Sequence, residues 1–157
     1  MEEKDLDKLK NISQNLRKLN GKIKLVSLLD KANQEFSKNN YSDCQKTCKE
    51  ILKKDSKNAL ALRGLGCVMQ SLGNYKKAIF YYEKALENSQ AKEIEYTLIG
   101  TVYYILEDLE KAIKFYNLAI DINDSYDNAY EGRNQSMLEY HLKIADLQDS
   151  LIKQKIF

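Results

Sequence analysis

Cys44 and Cys48 stand four residues apart, a spacing that puts two thiols on one face of a helix and could hold a metal. A closed zinc site needs four nitrogen or sulfur ligands. The remaining candidates are Cys67, on a different helical stretch, and His141, the only histidine, far along the chain. Small, easily buried thiols are the better reading of the pair, and His141 reads as a solvated helix residue. An odd count of three cysteines suits a reducing compartment rather than a disulfide framework. A second concentration of reactive side chains is the run Lys46, Lys49, Lys53, Lys54 and Lys57. A nucleic-acid-binding accessory role would use such a run, but no aromatic residues interleave it, and the chain as a whole carries only +2. These lysines read as the solvated outside of a helix. No glycine-rich phosphate loop, nucleophile elbow or paired-acid motif occurs. The sequence therefore points to no catalysis, no metal and no cofactor, and leaves recognition of another molecule as the chemistry on offer.

The elements that would position a recognition surface announce themselves by repetition. Residues 59–92 and 93–126 align without a gap at a spacing of 34: Leu65-Gly66 on Ile99-Gly100, Tyr75 on Leu109, Ala78-Ile79 on Ala112-Ile113, Tyr82 on Tyr116 and Ala85-Leu86 on Ala119-Ile120. A weaker copy covers 25–58, with Ala32, Tyr41, Cys44, Cys48 and Leu52 in register. Each copy holds two apolar runs of helical spacing, such as Leu62, Leu65, Val68, Met69, Leu72 and then Ala78, Ile79, Tyr82, Ala85, Leu86. Between the runs lie Asn39-Asn40, Gly73-Asn74 and Glu107-Asp108, where Asn and Asp suit helix N-caps and Gly73 a left-handed helix end. Ala32, Gly66 and Gly100 are expected to face Cys44, Ala78 and Ala112 where the paired helices approach. A lone helical hairpin cannot bury its apolar face, so the copies must stack.

The residues Tyr96, Ile99-Gly100, Tyr103, Ala112, Tyr116 and Ala119, echoed in the other copies, resemble the pattern of tetratricopeptide repeats. The chain departs from that pattern in having no Trp, and in placing Ser56, Gln90 and Asp124 where Pro is usual. The resemblance implies an all-α superhelical solenoid of three helix hairpins forming one domain over 1–157. An N-terminal helix (1–24) precedes repeats at 25–58, 59–92 and 93–126, and a long C-terminal capping helix (127–157) follows.

Composition agrees with an ordinary globular chain: 157 residues, 43% hydrophobic and 31% charged, with no proline to interrupt helices. No apolar stretch precedes Leu25, so neither a signal peptide nor a membrane span is expected, and the cytoplasm is the expected compartment. Leu6, Leu9, Ile12, Leu16 and Leu19 mark an amphipathic helix from Glu3 that Asn20-Gly21 is expected to end. It would pack on the first repeat or on a second subunit rather than on a membrane, since acidic residues interrupt its basic face. Near the other end, Met137, Tyr140, Ile144, Leu147 and Leu151 form a narrow seam of coiled-coil kind. Residues 127 to about 145 would cap the last repeat. The remainder, with Ile152, Ile156 and Phe157, exceeds what a cap requires and is expected to fray, fold back or join a second subunit. A homodimer through either end is thus allowed by the sequence.

In tetratricopeptide proteins the first helix of each pair lines a concave groove. Carried over by register, that resemblance implies a wall of Leu29, Asn33 and Phe36, then Arg63, Cys67 and Gln70, then Thr97, Thr101 and Tyr104, with Glu131 and Gln135 from the cap. This mixed wall with one firm cation favours an extended or helical peptide with apolar anchors, held by a non-catalytic adaptor or scaffold. Heat-shock partners of the family are gripped by a carboxylate clamp, whose five positions fall here on Leu29, Asn33, Gly64, Ile94 and Leu98. Only Asn33 matches, and a carboxylate without cations would be costly to desolvate, so no such partner is expected. A second reading rests on chaperones of bacterial type III secretion translocators. They have a similar build, and the run Leu62 to Cys67 followed by Gly73-Asn74-Tyr75 and Ala78-Ile79 resembles theirs.

Overall fold

Asn39, Gly73 and Glu107, spaced 34 apart, each hold a left-handed backbone, with φ of 57°, 73° and 59°. At each, the chain leaves one helix through a 6→1 backbone bond (Asn40 to Glu35, Asn74 to Met69, Asp108 to Tyr103, 2.8 to 3.0 Å). The next residue then caps the following helix. The side-chain oxygens of Asn40, Asn74 and Asp108 accept from the backbone N–H of Asp43, Lys77 and Lys111. One turn chemistry used three times makes three like-shaped hairpins.

The computed structural model describes residues 3–155, and its helices are α1 (Glu3–Ser37), α2 (Tyr41–Lys54), α3 (Ala59–Ser71), α4 (Tyr75–Leu86), α5 (Lys92–Ile105), α6 (Leu109–Ile122) and α7 (Asp127–Lys155). Each helix packs on the next in sequence, and α1 also touches α3 while α7 touches α5. The result is an all-α solenoid of three hairpins, with α7 laid over the last. Its core is built of Leu65, Val68, Tyr82, Ile99 and Val102 with Cys44, Cys48 and Ile51 from the first hairpin.

Gly66, Gly100 and Gly132 sit against tyrosine rings. A Cβ on Gly66 would stand 2.3 Å from the ring of Tyr82, one on Gly100 would stand 3.0 Å from Tyr116, and one on Gly132 only 2.3 Å from Tyr116. Each buried ring thus fills space left by glycine on a neighbouring helix. The Tyr82 hydroxyl donates to Gln70 (2.8 Å) and that of Tyr116 to Thr101 (3.2 Å).

Asn20-Gly21 does not end a helix: α1 runs unbroken from Glu3 to Ser37 and fuses the expected N-terminal helix to the first rod of the first repeat. Gly21 shows no positive φ, and glycine inside a helix costs only about 1 kcal/mol relative to alanine. The packing of α1 on α2 and α3 beyond it readily outweighs that cost. Nothing lies within 4 Å of where a Gly21 Cβ would stand. Gly21→Ala is therefore expected to stabilise α1 by about 1 kcal/mol, read as slower amide exchange on both sides of residue 21. A helix that ended there with a left-handed glycine would instead be weakened by the alanine. The expected packing of this segment on the first repeat is also absent, since Leu9, Ile12, Leu16 and Leu19 are all more than half exposed. The side chain of Leu6, like Ile156 and Phe157, lies outside the described residues. At the other end α7 continues straight to Lys155 and does not fold back.

Candidate peptide-binding cleft

The first helices of the hairpins bring residues from distant parts of the chain to one face. Leu29, Asn33 and Phe36 of α1 and Arg63 and Cys67 of α3 converge on a cleft of about 220 Å³, with Cys44 and Cys48 of α2 beneath and Leu60 and Gly64 at the α3 side. Its depth comes from two small residues. Ala32 gives α1 no bulk there, and Gly64 leaves room in which a Cβ would come within 2.9 Å of the Cys48 sulfur. Five of the residues expected on the groove wall therefore share one cavity, and the rest do not.

Gln70 is held by the Tyr82 hydroxyl. Thr97 is buried rather than on the wall, at 8% exposure, and its hydroxyl has no hydrogen-bond partner. Thr101 donates to the Thr97 carbonyl (2.9 Å) and accepts from Tyr116. Tyr104 donates to Glu139 of α7, to which Gln135 also donates (3.2 Å). That contact raises the Tyr104 phenol above its ordinary range, because the Glu139 carboxylate accepts a hydrogen bond that only the protonated hydroxyl can donate. Glu131 is exposed on α7, apart from the cleft. Around α5 and α7 the expected wall is thus dispersed: Thr101 bonds within α5 and to α6, and only Tyr104 is drawn into contact with the capping helix.

Electrostatically the cleft turns on one pair that sequence reading missed. Arg63 approaches a single oxygen of Glu95 through Nε (2.7 Å) and a terminal nitrogen (2.6 Å). The Glu95 side chain is completely buried, while that of Arg63 is 20% exposed. The other Glu95 oxygen has no hydrogen-bond partner. The wall's one firm cation is thereby neutralised inside the fold. A signal did exist: Glu95 occupies the register slot of Ala61, itself fully buried, where an acid calls for a partner.

The cysteines are free, with Cys44 and Cys48 buried and Cys67 half-buried. Burial pushes all three thiols up, Cys48 to about 12, so each stays protonated at neutral pH and lines the cleft as a small apolar group. Cys67, on a different helix from the other two as expected, lines the same cavity. Among the described residues, no group of three or more His, Cys, Asp or Glu is placed to hold a metal ion, and no helix is long and apolar enough to cross a membrane. Of the lysine run, Lys46 pairs with Asp43 and Lys54 with Glu50 on the exposed side of α2.

Residues 59–90 and 96–126 match two models of the tetratricopeptide repeat. Comparison with curated proteins gave no match. Among solved structures, the first tetratricopeptide domain of human RPAP3 superposes with a TM-score of 0.69 at 16% identity, over 77% of this chain and 95% of that one. The TPR2B domain of yeast Sti1, in its complex with pHsp70, gives 0.66 at 15% identity, over 74% and 98%. The Thermobaculum terrenum O-GlcNAc transferase gives 0.66 at 20% identity over 72% of this chain, which spans only 22% of that enzyme. The likeness to all three is one of fold. With its second and third hairpins matched by the repeat's own models and its first built on the same turn, the chain is a tetratricopeptide-repeat protein.

Proposed function

We propose that this chain is a non-catalytic adaptor that holds a peptide segment of a partner protein along the face of its first helices, with one apolar side chain of that peptide seated between α1 and α3. The observation that carries this reading is the cleft itself. At about 220 Å³ it falls below the roughly 300–1,000 Å³ of small-molecule sites and suits a side chain rather than a cofactor. Leu29, Phe36, Leu60 and the protonated thiols supply apolar contact, while Asn33 at the mouth offers an amide to a peptide backbone. One solved relative is described as bound to an HSP90 peptide, SRMEEVD. That acidic class of ligand is a poor fit here. Of the clamp positions only Asn33 has a suitable side chain, and the nearby Arg63 is held by Glu95. Three free thiols accord with a reducing, cytoplasmic setting.

Peptides selected from a random display library are expected to share a large apolar residue. Leu60→Asp should weaken them at least about tenfold, or about 1.4 kcal/mol, by fluorescence titration. Leu60 is 52% exposed and sits in the first turn of α3, where an acid favours the helix, so the fold should be preserved. Selection of acidic C-termini, or peptides indifferent to Leu60→Asp, would sink this assignment.

A further inference from the structure

Leu9, Ile12, Leu16, Leu19, Ile23 and Val26 alternate in steps of three and four and are each 53 to 58% exposed. That is three heptads of first and fourth positions with nothing seated on them. The side of α1 that packs into the fold carries Leu25, Leu28, Leu29, Ala32 and Phe36. At 3.6 residues per turn, that side lies opposite the stripe, so α1 has two apolar faces and its own fold covers only one. The stripe is narrow, with Ser13, Asn15, Asn20 and Lys22 flanking it, whereas a membrane-surface helix needs a broad apolar side.

We propose that the stripe is covered by the same stripe of a second copy, with the two α1 helices antiparallel. The seam of α7 is a poor alternative occupant because its own fold engages the first part. Tyr140 donates to Glu110 (3.1 Å), Lys143 bonds Glu107 (2.8 Å), and Ile144 is the least exposed of the seam's exposed apolar residues at 36%. Only Leu147 and Leu151 remain, less than a heptad. Four of the six positions, Leu9 and Leu16 at first positions and Ile12 and Val26 at fourth positions, depart from the arrangement that parallel dimers prefer. Opposed helix dipoles favour the antiparallel direction. Antiparallel, Leu9 of one copy meets Val26 of the other, Ile12 meets Ile23, and Leu16 meets Leu19. Lys22 then lies beside Asn15, so no like charges face each other across the seam, and the helix dipoles oppose. Covering both stripes removes about 1,200 Å² from water, the lower edge of a standard specific interface. The pairing is isologous and closes on itself. It sets the two solenoids at opposite ends with both clefts open, so a partner carrying two matching segments would be held bivalently.

Light scattering of the full chain is expected to give about twice 18.2 kDa. Leu16→Lys with Leu19→Lys should halve that mass and leave the helical circular dichroism and the affinity of each cleft for a selected peptide unchanged. Leu147→Lys with Leu151→Lys should leave the mass doubled. Direction is read from oxidative cross-linking: Leu9→Cys with Val26→Cys should join two chains, and Leu9→Cys alone should not. A monomer at every concentration overturns the proposal, as does a mass that falls only with the α7 changes. Cross-linking by Leu9→Cys alone would overturn the antiparallel pairing, and a monomer that binds acidic lipid vesicles through α1 would assign the stripe to membranes instead. The cleft's peptide affinity is measured separately, so this pairing and the adaptor reading can fail independently.

Discussion

Arg63→Ala is expected to destabilise the protein by about 3–5 kcal/mol, more than removing its partner would. The two residues form one ion pair, but their surroundings differ. Glu95 is completely enclosed, and one of its oxygens depends on Arg63 alone. Truncating the arginine strands a carboxylate where neither water nor another donor reaches it. Glu95→Ala leaves a guanidinium that is already one-fifth exposed and can turn to solvent, so the expected loss is smaller, about 1–2 kcal/mol. The double change Arg63→Met with Glu95→Leu should recover most of the stability, since apolar replacement of a buried pair is often neutral or better. Urea midpoints at constant slope report all three. Equal and small losses from the two single changes would show that the pair behaves as a surface contact. Glu95→Ala has a second readout. It frees the only cation beside the cleft, so peptide selection against that variant should shift towards acidic sequences.

Gly66→Ala is the second large effect, at about 2 kcal/mol of net destabilisation. Alanine would normally favour a helix by about 1 kcal/mol over glycine, as expected at Gly21. At Gly66 the added methyl would lie 2.3 Å from a Tyr82 ring carbon. The ring is fully buried and anchored through its hydroxyl to Gln70, so it cannot swing away without opening the hairpin. Gly132→Ala meets Tyr116 at the same 2.3 Å, while Gly100→Ala, at 3.0 Å, should be milder. Thermal melts of the four glycine variants should therefore rank Gly21→Ala above the parent, Gly100→Ala between, and Gly66→Ala and Gly132→Ala lowest. A Gly66→Ala variant as stable as the parent would mean that the ring packs elsewhere.

The hairpins were legible in the residues because each rests on interactions that are local or recur at a fixed interval. A capping Asn or Asp reaches three residues ahead, a left-handed turn involves one residue, and the apolar spacing of each rod is visible within a dozen positions. Glu107 adopts the same left-handed turn as Gly73 although glutamate has no preference for it, because the register of the array imposes it. The end of the N-terminal helix was misread for the converse reason. Asn20-Gly21 is a valid local stop signal, but a stop requires the chain to gain something by turning, and here the helix beyond is held by α2 and α3.

By itself, then, the sequence determined the three-hairpin repeat and its turn positions. Tertiary structure alone decided which wall residues share a cavity, and that Thr97 is enclosed while Tyr104 is committed to α7. It also decided that Arg63 is neutralised by an acid 32 residues away and that one face of α1 is left uncovered. The physical reason is range. Helix and turn energies depend on neighbours along the chain, whereas the accessibility of a side chain and the company of a charge depend on which distant helix lies against it.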